Sequence, residues 1–147
     1  MISVVYVDFS EIKLDSGSHL TEITWIVENI SLQKLEAHHY FVDYPGAKES
    51  ERQLTNIVGG KPLVRYSAPT VLKAFFGQIS PRAVVAFRTK ELKELFKVHV
   101  SSLLEAGSYR TFCTYDDVVS DESEAAFIDD IILDTKLEAA KKFGNAL

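Results

Sequence analysis

The feature that most constrains the fold is a change of period near residue 43. Before it, apolar and polar residues alternate in three short runs. After Asp43-Tyr44-Pro45-Gly46 the chain turns to helical spacing mixed with short apolar runs. Residues 2–9 are rich in β-branched and aromatic side chains, as a pleated surface prefers. Leu14-Asp15-Ser16-Gly17-Ser18 has turn chemistry, with Gly17 free to take positive φ. A second strand is predicted over 20–28, with Ile23, Trp25 and Val27 on one face and Glu22, Thr24 and Ile26 on the other. Asn29-Ile30-Ser31 turns again, and a third strand over 35–42 carries Ala37, His39 and Phe41 on one side. Three strands joined by short turns make an antiparallel meander.

The second part alternates. Residues 49–57 read as a short helix or ordered loop, broken by Val58-Gly59-Gly60-Lys61-Pro62. Ser67 is an N-cap and Pro69 a first-turn residue for a helix reaching about residue 79, with Val71, Leu72, Phe75, Phe76 and Ile79 at i, i+3/i+4 spacing. Residues 83–87 form an apolar run suited to a strand buried on both faces. A helix over 90–96, a fifth strand over 98–104, an acidic loop over 116–124 and a closing helix over 125–143 follow. The closing helix places Phe127, Ile128, Ile131, Ile132 and Leu137 on one broad inward face, with lysines near its C-terminus where the dipole favours them. The order predicts one mixed sheet flanked by helices, in a single domain over 1–147.

Composition narrows the chemistry. Sixteen Lys and Arg against twenty-one Asp and Glu leave a net charge of −5, unsuited to a general nucleic-acid coat. A lone cysteine, Cys113, excludes an internal disulfide and a Cys-rich zinc module. The apolar start is too short for a signal peptide, and no run approaches the ~20 residues of a membrane span. An intracellular chain, cytoplasmic or nuclear and without membrane contact, is the expectation.

An Asp that closes a first strand in this element order carries a resemblance. Val7-Asp8-Phe9-Ser10-Glu11, then a Gly-containing turn and Leu20-Thr21-Glu22-Ile23, is similar to the opening of the DEDDh 3′–5′ exonuclease family, which has the ribonuclease H-like fold. Leu54-Thr55-Asn56-Ile57, Ala68-Pro69-Thr70 and Ala83-Val84-Val85-Ala86 resemble its middle, and Glu124-Ala125-Ala126-Phe127-Ile128-Asp129 its closing His-x-Ala-x-x-Asp helix. The resemblance implies a five-stranded mixed sheet, three antiparallel strands followed by two parallel ones. It also implies an activity in which two Mg²⁺ ions about 4 Å apart clamp the phosphodiester, with a His as base.

Carried over by position, Asp8 and Asp129 match the family's acids and are the candidate metal ligands. Ser10 stands where a Glu is needed, and Leu92 where an Asp is needed. Glu124 takes the place of the His, and a carboxylate of ordinary pKa near 4.3 is a poor base at neutral pH. Three readings follow. The first is a degenerate, inactive module that needs no cofactor and binds single-stranded nucleic acid or a protein. The second is an active Mg²⁺- or Mn²⁺-dependent exonuclease with rearranged carboxylates Asp8, Glu11, Glu91, Glu124 and Asp129, which requires these five to converge. The third is a protein-interaction or dimerisation domain without nucleic-acid contact.

Arg82, Arg88, Lys90 and Lys93, continued by Lys97, form the candidate phosphate-binding strip, although lysines interleaved with glutamates also suit a solvated helix face. Neighbouring His38 and His39 should point to opposite faces of a strand and so share no metal. Cys113 with His99 lacks a third member for nucleophilic catalysis. Trp25, Tyr40, Phe41 and Tyr44 read as sheet packing, and Phe87 as a partner surface if it is exposed at the rim.

Overall fold

The computed structural model describes residues 3–29, 32–49, 62–103 and 111–147. The predicted segment 49–57 and the Gly59-Gly60 break lie almost wholly outside them. The chain forms a mixed α/β domain with a six-stranded sheet flanked by helices.

Strand β1 (Ser3–Leu14) and β2 (Gly17–Asn29) make an antiparallel hairpin closed by Asp15 and Ser16. Gly17, paired with Leu14, has φ 122°, a conformation that a side chain would strain. Strand β3 (Lys34–Asp43) continues the meander antiparallel to β2. The three-residue β4 (Arg65–Ser67) joins the outer side of β3 in parallel, a strand the period did not predict. Helix α1 (Ala68–Gln78) begins as expected. Ser67 Oγ accepts from the Thr70 N–H at 3.3 Å, and Val71, Leu72 and Phe75 are buried.

Strand β5 (Val84–Phe87) returns parallel to β1, and β6 (Thr111–Thr114) lies parallel to β5. The sheet order is therefore β4-β3-β2-β1-β5-β6. Between β5 and β6 runs helix α2 (Lys90–Val100), capped by Thr89. Here the expected fifth strand over 98–104 is corrected: residues 98–100 belong to α2. Leu92, Phe96 and Val100 stand four residues apart, so one inward helical stripe continues to the β-branched Val100, while Val98 on the same helix is exposed. Packing outweighs their strand preference. The last strand is instead β6. The acidic stretch holds a short helix, α3 (Tyr115–Val118), where a loop was expected, and the closing helix α4 (Glu122–Lys141) starts earlier than predicted. Asp121 caps α4 by accepting the Glu124 N–H at 2.9 Å.

Two cores form because β1 is covered on both faces. Val5, Val7 and Phe9 pack with Trp25, Val85 and Phe87 against Phe75 of α1 and Phe96 of α2. Val4 and Tyr6 pack with Ile26, Ala86 and Cys113 against Tyr115 and against Ile128 and Ile132 of α4. Phe87 is fully buried, its ring 5.1 Å from that of Phe96, so it is core and not a partner surface. Trp25 and Tyr40 are packing residues as expected. Among the described residues no helix is long and apolar enough to cross a membrane.

Phe96 touches Phe9, Phe75, Phe87 and Phe112 and so ties both helices of one layer to the sheet. Phe96→Ala should cost about 3–5 kcal/mol, because neighbours held by a sheet cannot collapse into the gap. Urea unfolding should show this as a lower midpoint at nearly unchanged slope.

Candidate functional site

The period of two along β1 decides which side chains can meet. Val4, Tyr6, Asp8 and Ser10 turn toward α4, whereas Val5, Val7 and Phe9 turn toward α1 and α2. By register, Asp8 lies opposite Thr24, Ser10 opposite Glu22, and Thr24 opposite His39. One polar strip thus crosses three strands beneath α4, and the inward side of α4 brings Lys136 onto it.

Lys136 is the centre of the strip. Its Nζ lies 2.5 Å from Asp8 Oδ2 and 4.0 Å from Glu22 Oε1, and all three side chains are roughly three-quarters buried. Ser10 Oγ donates to Glu22 Oε1 at 3.3 Å. His39, fully buried, shares a 2.7 Å hydrogen bond between Nδ1 and Thr24 Oγ1. Its Nε2 lies 3.5 Å from Glu22 Oε2, a long contact that leaves this buried nitrogen short of a full hydrogen bond. The His39 ring, then Lys136 and Ser10, hold the Glu22 carboxyl below its ordinary range against the opposing effect of burial.

Beside this strip, at the carboxyl ends of β5 and β6, Arg88 pairs with Asp129 at 3.2 Å and lies over the Tyr115 ring, 5.4 Å from its centre. Burial raises the Tyr115 hydroxyl pKa, and the charges of Asp129 and Asp8 raise it further, so the ring stays neutral between two acids. A cavity of about 680 Å³ opens here, lined by Arg88, Tyr115, Asp129, Val119 and Ser120. Crevices at the carboxyl ends of strands are the usual ligand positions of open α/β sheets.

The five candidate carboxylates do not surround one cavity. Asp8 and Asp129 share the α4 side, each with its own cation. Glu11 turns to the opposite layer, its Oε2 2.8 Å from His99 Nε2. The irregularity at Ser10/Glu11 places the extra residue, Thr21, on β2 and does not bring Glu11 round to Asp8. Glu91 is exposed in the first turn of α2. Glu124 accepts hydrogen bonds from the Ser120 hydroxyl at 2.6 Å and its N–H at 3.0 Å, which hold its pKa below the usual carboxylate range and make it a still poorer base. Among the described residues no three His, Cys, Asp or Glu are placed to hold a metal ion.

The candidate basic strip is likewise divided. Arg82 precedes β5 and Arg88 follows it, so they lie at opposite ends of that strand. Arg88 is engaged by Asp129, and Lys93 is largely buried beside Glu94 at 4.0 Å; Lys90 is exposed at the start of α2. His38 and His39 do face opposite ways, His38 beside Trp25 and His39 beside Thr24. His99 pairs with Glu11, so the thiol of Cys113 has no part in a His pair with it.

Lys136 and Glu22 are the site residues that the motifs did not pick out. A signal for Lys136 existed: it sits four residues after Ile132 and three before Ala139, a cation in line with the buried stripe of α4. Because the folded state depresses the Glu22 pKa, its ionised form stabilises the fold above the unfolded value near 4.5, and that contribution is lost as pH falls through the folded value. Glu22→Gln should therefore cost about 1–3 kcal/mol at pH 7, a gap that narrows on acidification below that range. Chemical denaturation of both proteins across pH 3–7 measures it. Lys136→Met should cost about as much at pH 7 by leaving Asp8 and Glu22 facing one another, and should recover part of the loss in acid.

No family model matches the chain, and no curated protein matches it.

Proposed function

We propose that the chain is a ribonuclease H-like scaffold of exonuclease type that performs no catalysis and serves as a protein-binding module. Support for the fold comes from the β1-β2-β3 meander joined through β1 to parallel β5 and β6, with α4 over the face that carries Asp8. The strand β4 is an addition at the far edge.

One observation carries the loss of catalysis: each acid that matches the family has an internal cation in place of a metal, Lys136 on Asp8 and Arg88 on Asp129. Two hard divalent ions repel each other and need a surplus of carboxylate charge. Here that charge is already neutralised by side chains built into α4 and the end of β5. Ser10 supplies a neutral hydroxyl, already turned to Glu22.

The choice of a protein partner over nucleic acid rests on charge. Residues 116–134 contain eight Asp and Glu and no Lys or Arg, and four of these acids, Asp116, Asp121, Glu122 and Asp129, line the cavity that Arg88 borders. A phosphate backbone would meet repulsion there, and the basic strip that could offset it is split.

Purified chain incubated with labelled single-stranded RNA or DNA and Mg²⁺ or Mn²⁺ should release no product, and millimolar Mg²⁺ should leave the melting temperature unchanged. Cleavage that disappears in Asp8→Asn would overturn the non-catalytic reading. Salt-sensitive retention on single-stranded nucleic acid would replace the protein partner with a nucleic-acid one.

A further inference from the structure

Among the described residues, strand β3 is paired along only part of its outer edge. Strand β4 pairs with it only at Phe41, Val42 and Asp43, so among the described residues the outer side of residues 34–40 has no strand partner. The direction of its backbone groups follows from one contact: Asn145 Nδ2 donates to the His39 carbonyl at 2.9 Å. The backbone N–H and C=O of His39 therefore point to the outer edge, and the period of two turns those of Leu35 and Ala37 the same way.

Helix α4 runs beside this edge and leaves a groove. The expected broad inward face of α4 proves wider than the sheet can cover: Phe127 is 56% exposed and Leu137 51%, with Leu133 also exposed. Phe127 lies on the β3 side, across a cavity of about 450 Å³ from Leu35, itself 44% exposed. A second cavity of about 500 Å³ lies between Ala37 and Tyr40 on the strand and Asp134 and Glu138 on the helix, and Lys142 and Asn145 also border it.

Resting on the non-catalytic reading above, we propose that this groove takes up an extended peptide segment of a partner protein, added as a strand to the β3 edge. The outward N–H and C=O groups require a partner that repeats donors and acceptors at strand spacing, which only another backbone supplies. One apolar side chain of the peptide fits between Leu35 and Phe127. A basic side chain at the other end meets Asp134, since Glu138 already faces Lys141 at 3.6 Å.

A second copy of the chain fits less well. Antiparallel self-pairing centred on Glu36 sets two carboxylates opposite each other. Centred on Ala37 it needs the His39 carbonyl that Asn145 occupies. Centred on Leu35 it needs Gln33, whose φ of 52° is not extended.

Panning a random peptide display library on the full chain should enrich sequences with apolar residues at alternate positions and a Lys or Arg. Titration of a synthetic enriched peptide should slow hydrogen exchange at the Leu35 and Ala37 amides. Ala37→Pro removes one outward N–H, a change that an edge strand tolerates, and should weaken that peptide at least about tenfold, or 1.4 kcal/mol. Phe127→Ser, at an exposed helix position, should do the same and carries the test if the proline variant does not fold. Failure to enrich any peptide, binding unaffected by Phe127→Ser, or a dimer in solution that protects these amides without peptide would overturn the proposal. Metal-dependent nuclease activity would end the non-catalytic reading while leaving a positive peptide result standing, so the two failures are distinguishable.

Discussion

Everything in this molecule is arranged around a strand that has no free side. Strand β1 is hydrogen-bonded to β2 on one flank and β5 on the other and is covered by helices on both faces. Its alternation therefore becomes a sorting device. Odd residues from Val5 to Phe9 build the aromatic layer under α1 and α2, and even residues from Val4 to Ser10 run from the second core into the polar strip. Because one strand serves both layers, Asp8 and Glu11 cannot join one site although only two residues separate them.

The polar strip works as a closed electrostatic unit. Lys136 faces Asp8 and Glu22, while Glu22 also faces His39 and Ser10, so each charge has an answer within the protein. Groups of this kind are costly to bury alone and tolerable when paired. Along the β3 edge, in contrast, the described residues leave the backbone groups of Leu35 and Ala37 without a strand partner and the apolar side chain of Phe127 exposed.

Local signals were legible where chemistry and packing agreed. Ser67, Pro69 and the apolar spacing that follows announced α1 almost to the residue, and the facing of Ile23, Trp25, His38 and His39 followed from strand period alone. They misled where packing overrode propensity. The Val98-His99-Val100 run looks like a strand, but Phe96 and Val100 need one helical face to fill the aromatic layer. Strand β4 is three residues long, too short for any period to show, and exists because β3 presents a partner. On α4, hydropathy could not separate Ile128 and Ile132, which the sheet covers, from Phe127 and Leu137, which it does not.

Residue order by itself determined the run of α1, β5 and α2 and the two-faced alternation of β1 to β3. These depend on spacing within one segment, which a chain carries whether or not it is folded. Only the tertiary structure decided that Lys136 sits against Asp8 and Arg88 against Asp129, that Glu11 belongs to His99 in the other layer, and that among the described residues the outer side of residues 34–40 has no strand partner. Those are distances between segments far apart in the chain, set by how α4 lies on the sheet, and no local pattern encodes them.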